Sequence, residues 1–191
     1  MKTLTAITGG IGSGKSVVSR VLRILGYPVY DCDSAAKSLM DADEEIKRRL
    51  IDEIDSLAVV DGVIDRRRIA EVVFADAEKL AALNAIVHAA VREDIASWVF
   101  SQDSDRLFVE TAILYESGLN RMVDAEWRVE SPLELRIERT MRRSALSRSQ
   151  VEERIAAQII EAPDGEPPLP VFTIVNDLTH ALLPQIELLL G

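Results

Sequence analysis

Apolar residues in this chain fall into short continuous runs and longer stripes at helical spacing, and the way the two alternate predicts the layout. Leu4-Thr5-Ala6-Ile7-Thr8 is a short, mostly apolar run stopped by glycines, the profile of a buried parallel strand. A glycine-rich loop leads into a helix from Lys15 to about Leu25, with Val17, Val18, Val21, Leu22 and Leu25 at helical spacing and Gly26 as its cap. Pro28-Val29-Tyr30-Asp31 predicts a second strand, so residues 3–31 read as a strand–helix–strand unit of a parallel sheet. From Ser34 to Ser101 the pattern is helical, with turns expected near Asp61-Gly62 and at Asp76. Strands return at Leu107–Glu110 and Ala125–Glu130, followed by a helical, arginine-rich stretch from Leu133 to Ile160. Val171–Val175 predicts the last strand, and Leu178 to Leu190 an amphipathic closing helix. Ala162–Pro168 is linker-like, because its prolines exclude a continuous helix.

Strands separated by helices indicate an α/β sheet with helices on both faces. The long helical stretch before the third strand is an insertion, expected to be a substrate-binding lobe. At 191 residues the chain fits one domain with such an insertion. Its formal net charge of −10 argues against general affinity for nucleic acid or acidic membranes, so any polyanionic ligand must be held by local donors. The single cysteine, Cys32, excludes an internal disulfide. With a strand starting at about Lys2 and no apolar run of membrane-spanning length, a cytoplasmic protein is expected.

Gly9-Gly10-Ile11-Gly12-Ser13-Gly14-Lys15-Ser16 matches G-x-x-x-x-G-K-[ST] in full, after a strand and opening a helix as the motif requires. Glycines let successive N–H groups turn inward as a nest for phosphate oxygens, and the helix N-terminus adds partial positive charge. Lys15 is expected to reach the β- and γ-phosphates of ATP, and the Ser16 hydroxyl to ligate Mg²⁺. The bland alternative is a glycine-rich connecting turn.

Asp31-Cys32-Asp33 follows the second strand, at the end of the sheet where ligands bind. In an extended segment both carboxylates project to one side, and a carboxylate can orient an acceptor hydroxyl and take its proton. Alternatively Asp33 is the N-cap of the next helix, a job Ser34 could share. Arg136, Arg139, Arg142, Arg143, Arg148 and Arg154 crowd one region, with Arg139 and Arg143 four apart on one face. One or two of them are expected in a lid closing over phosphates; the rest read as a solvated face beside Glu134, Glu138, Glu152 and Glu153. His88 and Arg92 are a candidate phosphate contact or a helix-surface pair. Glu110 and Glu116 are candidates to order a Mg²⁺ water shell, or else caps. Trp98 and Trp127 read as packing residues.

Taken together these segments resemble the dephospho-CoA kinase family. The phosphate loop from Ile7 to Ser16 is similar to that family's version, and Tyr30–Lys37 resembles its D-A-D-x-I-A-R signature with Cys32 for alanine and Lys37 for arginine. Ile86–His88 through Arg92 resembles its H-P-x-V-R segment with Ala89 for proline, and Ala112–Glu116 its P-L-L-F-E with Ala112 for proline. Arg139–Arg143, Arg148 and Val151–Gln158 resemble its lid and following helix, and Ile174-Val175-Asn176 its final strand. Leu178 stands where the family has glycine, and residues 161–172 lack its usual basic and A-D residues.

The resemblance implies a nucleotide-kinase-like, five-stranded parallel P-loop core (about 1–33, 104–135 and 170–191). It adds a helical CoA-binding insertion (about 34–103) and an arginine-rich lid (about 136–162). It implies transfer of the ATP γ-phosphate to the 3′-hydroxyl of the dephospho-CoA ribose, with Mg²⁺, and Asp33, Lys15, Arg139 and Arg143 as catalytic residues. Gly10, Gly12, Ser13, Gly14, Lys15, Ser16 and Val17 would bind the nucleotide. Asp31, Asp33, Lys37, His88, Arg92 and Glu116 would bind the acceptor. A monomer is the expectation, with an oligomer left open. The main rival is another P-loop small-molecule kinase of the shikimate, gluconate or nucleoside monophosphate type, which does not call for the His88 segment. A GTPase-like switch needs an N-K-x-D motif, and no Asn-Lys pair occurs.

Overall fold

Ala6 and Ile7 are both fully buried although neighbours in a strand point to opposite faces, which requires cover on both sides of the sheet. Their strand, β1 (Thr3–Thr8), leads through the glycine loop into α1 (Lys15–Ile24) and then β2 (Val29–Asp31). The chain continues through α2 (Cys32–Ala42), α3 (Glu44–Glu53), β3 (Val59–Val60), β4 (Val63–Ile64), α4 (Arg66–Ala75) and α5 (Ala77–Ser101). It then forms β5 (Arg106–Glu110), β6 (Ala125–Glu130), α6 (Leu133–Arg143), α7 (Arg148–Ala156), β7 (Val171–Val175) and α8 (Leu182–Leu190). The computed structural model describes residues 2–163 and 169–191.

Contacts divide the chain into two units, Met1–Tyr30 with Asp103–Gly191, and Asp31–Gln102. The first is built on a five-stranded sheet in the order β2-β5-β1-β6-β7, with β1 parallel to β5 and β6, and β6 parallel to β7. β5, apolar at Leu107, Phe108 and Val109, takes the place between β1 and β2, so the first two strands are not neighbours. One core joins Ile7, Phe108, Trp127, Val129 and Ile174 of the sheet to Val18 and Leu22 of α1 and Ile186 of α8. Trp127 is thus a packing residue, its ring 5.0 Å from that of Phe108. α1 ends as expected: Gly26 adopts φ 90°, and the Gly26 and Tyr27 N–H groups bond back to Arg23 and Leu22.

The second unit has its own core, with Ile46, Leu50, Ile54, Ile64, Ile69, Val73 and Ile86 buried among its helices. The expected break at Asp76 is present, where its carboxylate caps α5 by accepting from the Glu78 and Lys79 N–H groups.

Several helical expectations need correcting. The turn expected near Asp61-Gly62 is present, but its flanks are strands rather than helices, and it is the tip of a hairpin, β3–β4. Both tip residues have positive φ, 50° and 77°, as Asp-Gly favours, and the flanking Val59-Val60 and Val63-Ile64 are strand formers. The stretch expected as helix from Leu133 to Ile160 is two helices. Ser147 and Gln150 form a reciprocal capping box that restarts the helix after a break, and helix ends at Ala156. The last helix begins at Leu182 rather than Leu178, because the Asp177 carboxylate bonds the Thr179 and His180 N–H groups in a turn. Asp31 and Asp33 do not lie in one extended segment: α2 starts at Cys32, so the two carboxylates leave the backbone from different structures. Of the linker-like segment, Ala162 and Pro163 are non-helical, and residues 164–168 lie outside the described residues. No helix among the described residues is long and apolar enough to cross a membrane.

Candidate active site

β1 ends between β5 and β6, the point where the sheet's strand order reverses and ligands of open α/β sheets bind. The phosphate loop occupies that end. Gly12 and Gly14 hold φ 78° and 100°, in the left-handed region that L side chains avoid. Gly14 is doubly constrained, since a Cβ there would lie 2.1 Å from Asn176 Nδ2. Lys15 opens α1, and its Nζ donates to the carbonyls of Gly9 (2.8 Å) and Gly10 (3.3 Å). Ser16 and Val17 are exposed in the first turn of α1.

Residues far along the chain fix the loop from outside. Asn176, at the end of β7, donates to the Ser13 carbonyl at 2.7 Å. Arg139 of α6 donates to the Asn176 carbonyl and to Ser131 Oγ, at 3.2 and 3.1 Å. Arg136, one turn earlier, donates from Nε to the Ile11 carbonyl at 2.9 Å. The Ile11 N–H donates to Gln158 Oε1, and Gln158 Nε2 donates to the Ala112 carbonyl. That glutamine therefore ties the phosphate loop to the segment after β5. It also occupies one of the loop N–H groups, so the expected nest excludes that of Ile11. Gly9, Gly10, Ser13, Ser131, Arg136, Gln158 and Glu161 are among the residues lining a cavity of about 610 Å³ beside the loop.

A buried polar cluster borders this cavity. Glu126 is fully buried on β6, accepting from the Tyr115 hydroxyl and from Arg128 Nε, each at 2.6 Å. Arg128 also pairs with Glu161. Burial, then the bond to Glu126, pushes the Tyr115 pKa up to about 12. The bond to Glu126 likewise keeps Arg128 firmly protonated.

Of the residues expected from sequence, the first unit brings together the loop glycines, Ser13, Lys15 and Arg139. Arg143 is exposed, and its side chain has no ion pair or hydrogen bond among the described residues. Glu116 is exposed and accepts from the Ile159 N–H at 3.2 Å; Glu110 is half-buried at the end of β5. In the second unit, Asp31 is the N-cap of α2, accepting from the Ser34 N–H and hydroxyl at 3.1 and 2.9 Å. Asp33 and Lys37 are exposed, four apart on α2, and His88 and Arg92 are half-buried, four apart on α5, against which α2 packs. Arg136 is expected only as one of six arginines from which one or two close over phosphates, and Gln158 and Asn176 are given no role by the sequence. Two signals pointed to them: Arg136 precedes Arg139 by three residues on one helix, and Asn176 sits at the carboxyl end of a strand.

A phosphate loop on this sheet, ringed by arginines, defines a P-loop kinase, an enzyme of phosphoryl transfer. Residues 3–164 match the family model for dephospho-CoA kinase. Dephospho-CoA kinase from Porphyromonas gingivalis is 39% identical over 180 residues, 94% of this chain and 89% of that protein. The enzyme from Thermus thermophilus is 42% identical over 158 residues, 83% of this chain and 76% of that one. Among solved structures, TT1252 from Thermus thermophilus superposes with a TM-score of 0.77 at 36% identity, covering 99% of this chain and 94% of that one. Dephospho-CoA kinase from Campylobacter jejuni shares the fold at a TM-score of 0.63 and 22% identity, over 98% of this chain and 93% of that one. The chain belongs to the dephospho-CoA kinase family.

Proposed function

We propose that this chain transfers the γ-phosphate of ATP to the 3′-hydroxyl of the dephospho-CoA ribose, giving CoA and ADP. The observation that carries the reading is the family match over residues 3–164, which includes the complete phosphate loop. Relatives named for this reaction favour that acceptor over shikimate, gluconate or a nucleoside monophosphate.

In this reading Gly10, Gly12, Ser13, Gly14, Lys15, Ser16 and Val17 bind the nucleotide, with Lys15 exchanging its two loop carbonyls for phosphate oxygens. The Ser16 hydroxyl suits Mg²⁺, a cation that keeps most of its waters and needs few protein ligands. That fits a chain in which no group of three or more His, Cys, Asp or Glu among the described residues could cage a metal. Mg²⁺ bound there supplies charge neutralisation to the phosphates. Asp33 orients the acceptor hydroxyl and takes its proton while the oxygen bonds the γ-phosphorus and ADP leaves with the bridging oxygen. Asp31, Lys37, His88, Arg92 and Glu116 serve the acceptor, with residues 34–103 as its lobe. Arg139 and Arg143, in a lid of residues 136–162, stabilise charge on the transferring group. The protein works in the cytoplasm as a monomer.

The test is a purified chain, Mg-ATP and a panel of acceptors, with products identified by mass. A gain of one phosphate on dephospho-CoA alone is expected. Phosphorylation of shikimate, gluconate or a nucleoside monophosphate in its place would overturn the assignment.

A further inference from the structure

Arg136 reaches the phosphate loop with only part of its guanidinium used. Nε is bonded to Ile11, but Nη2 is buried and has no hydrogen-bond partner among the described residues. No acidic side chain among the described residues pairs with it, and burial lowers its pKa. A buried donor left unsatisfied is destabilising, more so when charged, so such a group points to a ligand that completes it. A second unsatisfied group is nearby: Ser13 is 1% exposed, and its Oγ has no partner among the described residues. Both residues line the cavity of about 610 Å³, as does Gly10. Arg139 differs, its guanidinium being occupied by Ser131 and Asn176.

Gly10 supplies an independent observation. Unlike Gly9, Gly12 and Gly14 it has no positive φ, so the backbone does not require glycine there. A Cβ at this position would lie 2.1 Å from Arg136 Nη2. The missing side chain is what admits the guanidinium to the loop.

We propose that Arg136 Nη2 and Ser13 Oγ form a built site for a phosphate oxygen of the bound polyphosphate, and that Gly10 is glycine to make room for it. This rests on the phosphate loop being the nucleotide site. Arg136 is then a fixed phosphate-binding residue, held on the loop by its own Nε bond.

The test is calorimetric titration of the full chain with inorganic pyrophosphate, and separately with adenosine. Arg136→Gln should weaken pyrophosphate about 10- to 100-fold, the worth of one hydrogen bond to a charged group, and leave adenosine unchanged. Arg136→Lys should recover part of the loss. Gly10→Ala should weaken pyrophosphate in the native background and add little to Arg136→Gln, because both remove the same contact. Pyrophosphate binding like the native chain's in Arg136→Gln, even with a lower melting temperature, would reduce Arg136 to a brace and overturn the proposal. If Arg136→Gln does not fold, unchanged pyrophosphate affinity in both Arg136→Lys and Gly10→Ala overturns it equally. Pyrophosphate needs no acceptor, so a chain that binds it through Arg136 yet fails to phosphorylate dephospho-CoA contradicts the acceptor assignment and supports this site.

Discussion

Asp31 and Asp33 are two residues apart and occupy different structural positions. Asp31 spends both oxygens on Ser34 as the N-cap of α2, whereas Asp33 sits exposed in the first helical turn with no cap to make. This separation lets substitutions at the two positions isolate chemistry from stability. Asp31→Ala should cost about 1 kcal/mol through the lost cap, read as a lower melting temperature, while Asp31→Asn should keep it. Asp33→Asn should leave melting nearly unchanged and cut turnover on dephospho-CoA by roughly 10²–10⁴-fold, the usual worth of a positioned base. Native turnover in Asp33→Asn would remove Asp33 from the chemistry. Leu178 is a second position where one residue decides. It holds φ 74° and is 77% exposed, so it carries backbone strain and buries little in return. The glycine that the family resemblance leads one to expect there is the residue this φ favours. Leu178→Gly should therefore raise stability by about 0.5–1 kcal/mol, the relief of left-handed strain less the extra freedom of an unfolded glycine. An unchanged or lower melting temperature would show the strain to be absent.

At the scale of elements, β6 carries an uncommon load for a central strand. Glu126 is fully buried on it, and its two oxygens are satisfied by Tyr115 and Arg128. Tyr115→Phe keeps the ring but leaves a buried carboxylate oxygen short of a donor, at an expected cost of about 1–3 kcal/mol. Burial of the Tyr115 hydroxyl, and after it the same bond, sets a pH dependence. With the folded pKa of Tyr115 near 12, above an unfolded value of about 10, its contribution is fully present below pH 10. It is lost as pH rises from about 10 towards 12, since the unfolded chain releases the proton first. Absorbance titration of tyrosinate should show one of the three tyrosines ionising last, and Tyr115→Phe should delete that step. If the late step survives in Tyr115→Phe, it belongs to Tyr27 or Tyr30. None of this cluster was legible in the sequence, because Glu126 and Arg128 in a strand read as ordinary alternation. What ties them together is the Tyr115 hydroxyl on Glu126 and the Glu161 carboxylate on Arg128, partners that lie outside the strand. The Asp61-Gly62 hairpin failed differently: its local signal was present, but the helical pattern on both sides outweighed it.

For the whole molecule, the order of strands and helices could be read from spacing because each core element shows its own period. The phosphate loop could be read because its backbone needs those residues in that order. The contacts that Arg136, Gln158 and Asn176 make with it could not, since each meets the loop across more than a hundred residues of chain. An inserted lobe is expected from the sequence, but that each unit closes on a separate core is visible only in the fold, and it makes a prediction of its own. Leu50 and Leu22 are both 0% exposed, Leu50 in the core of α3 and its neighbours, Leu22 on the inward face of α1, the helix that the phosphate loop opens. Either leucine changed to alanine removes similar volume and should cost about 2–5 kcal/mol locally. If stability is partitioned as the cores are, Leu50→Ala should speed amide exchange chiefly in peptides from residues 32–101. Leu22→Ala should speed it chiefly in peptides from residues 3–25 and 106–130. Exchange followed by mass spectrometry at matched temperature reads both at once. Equal acceleration across all peptides in either variant would mean that the chain opens as one cooperative body despite its two cores.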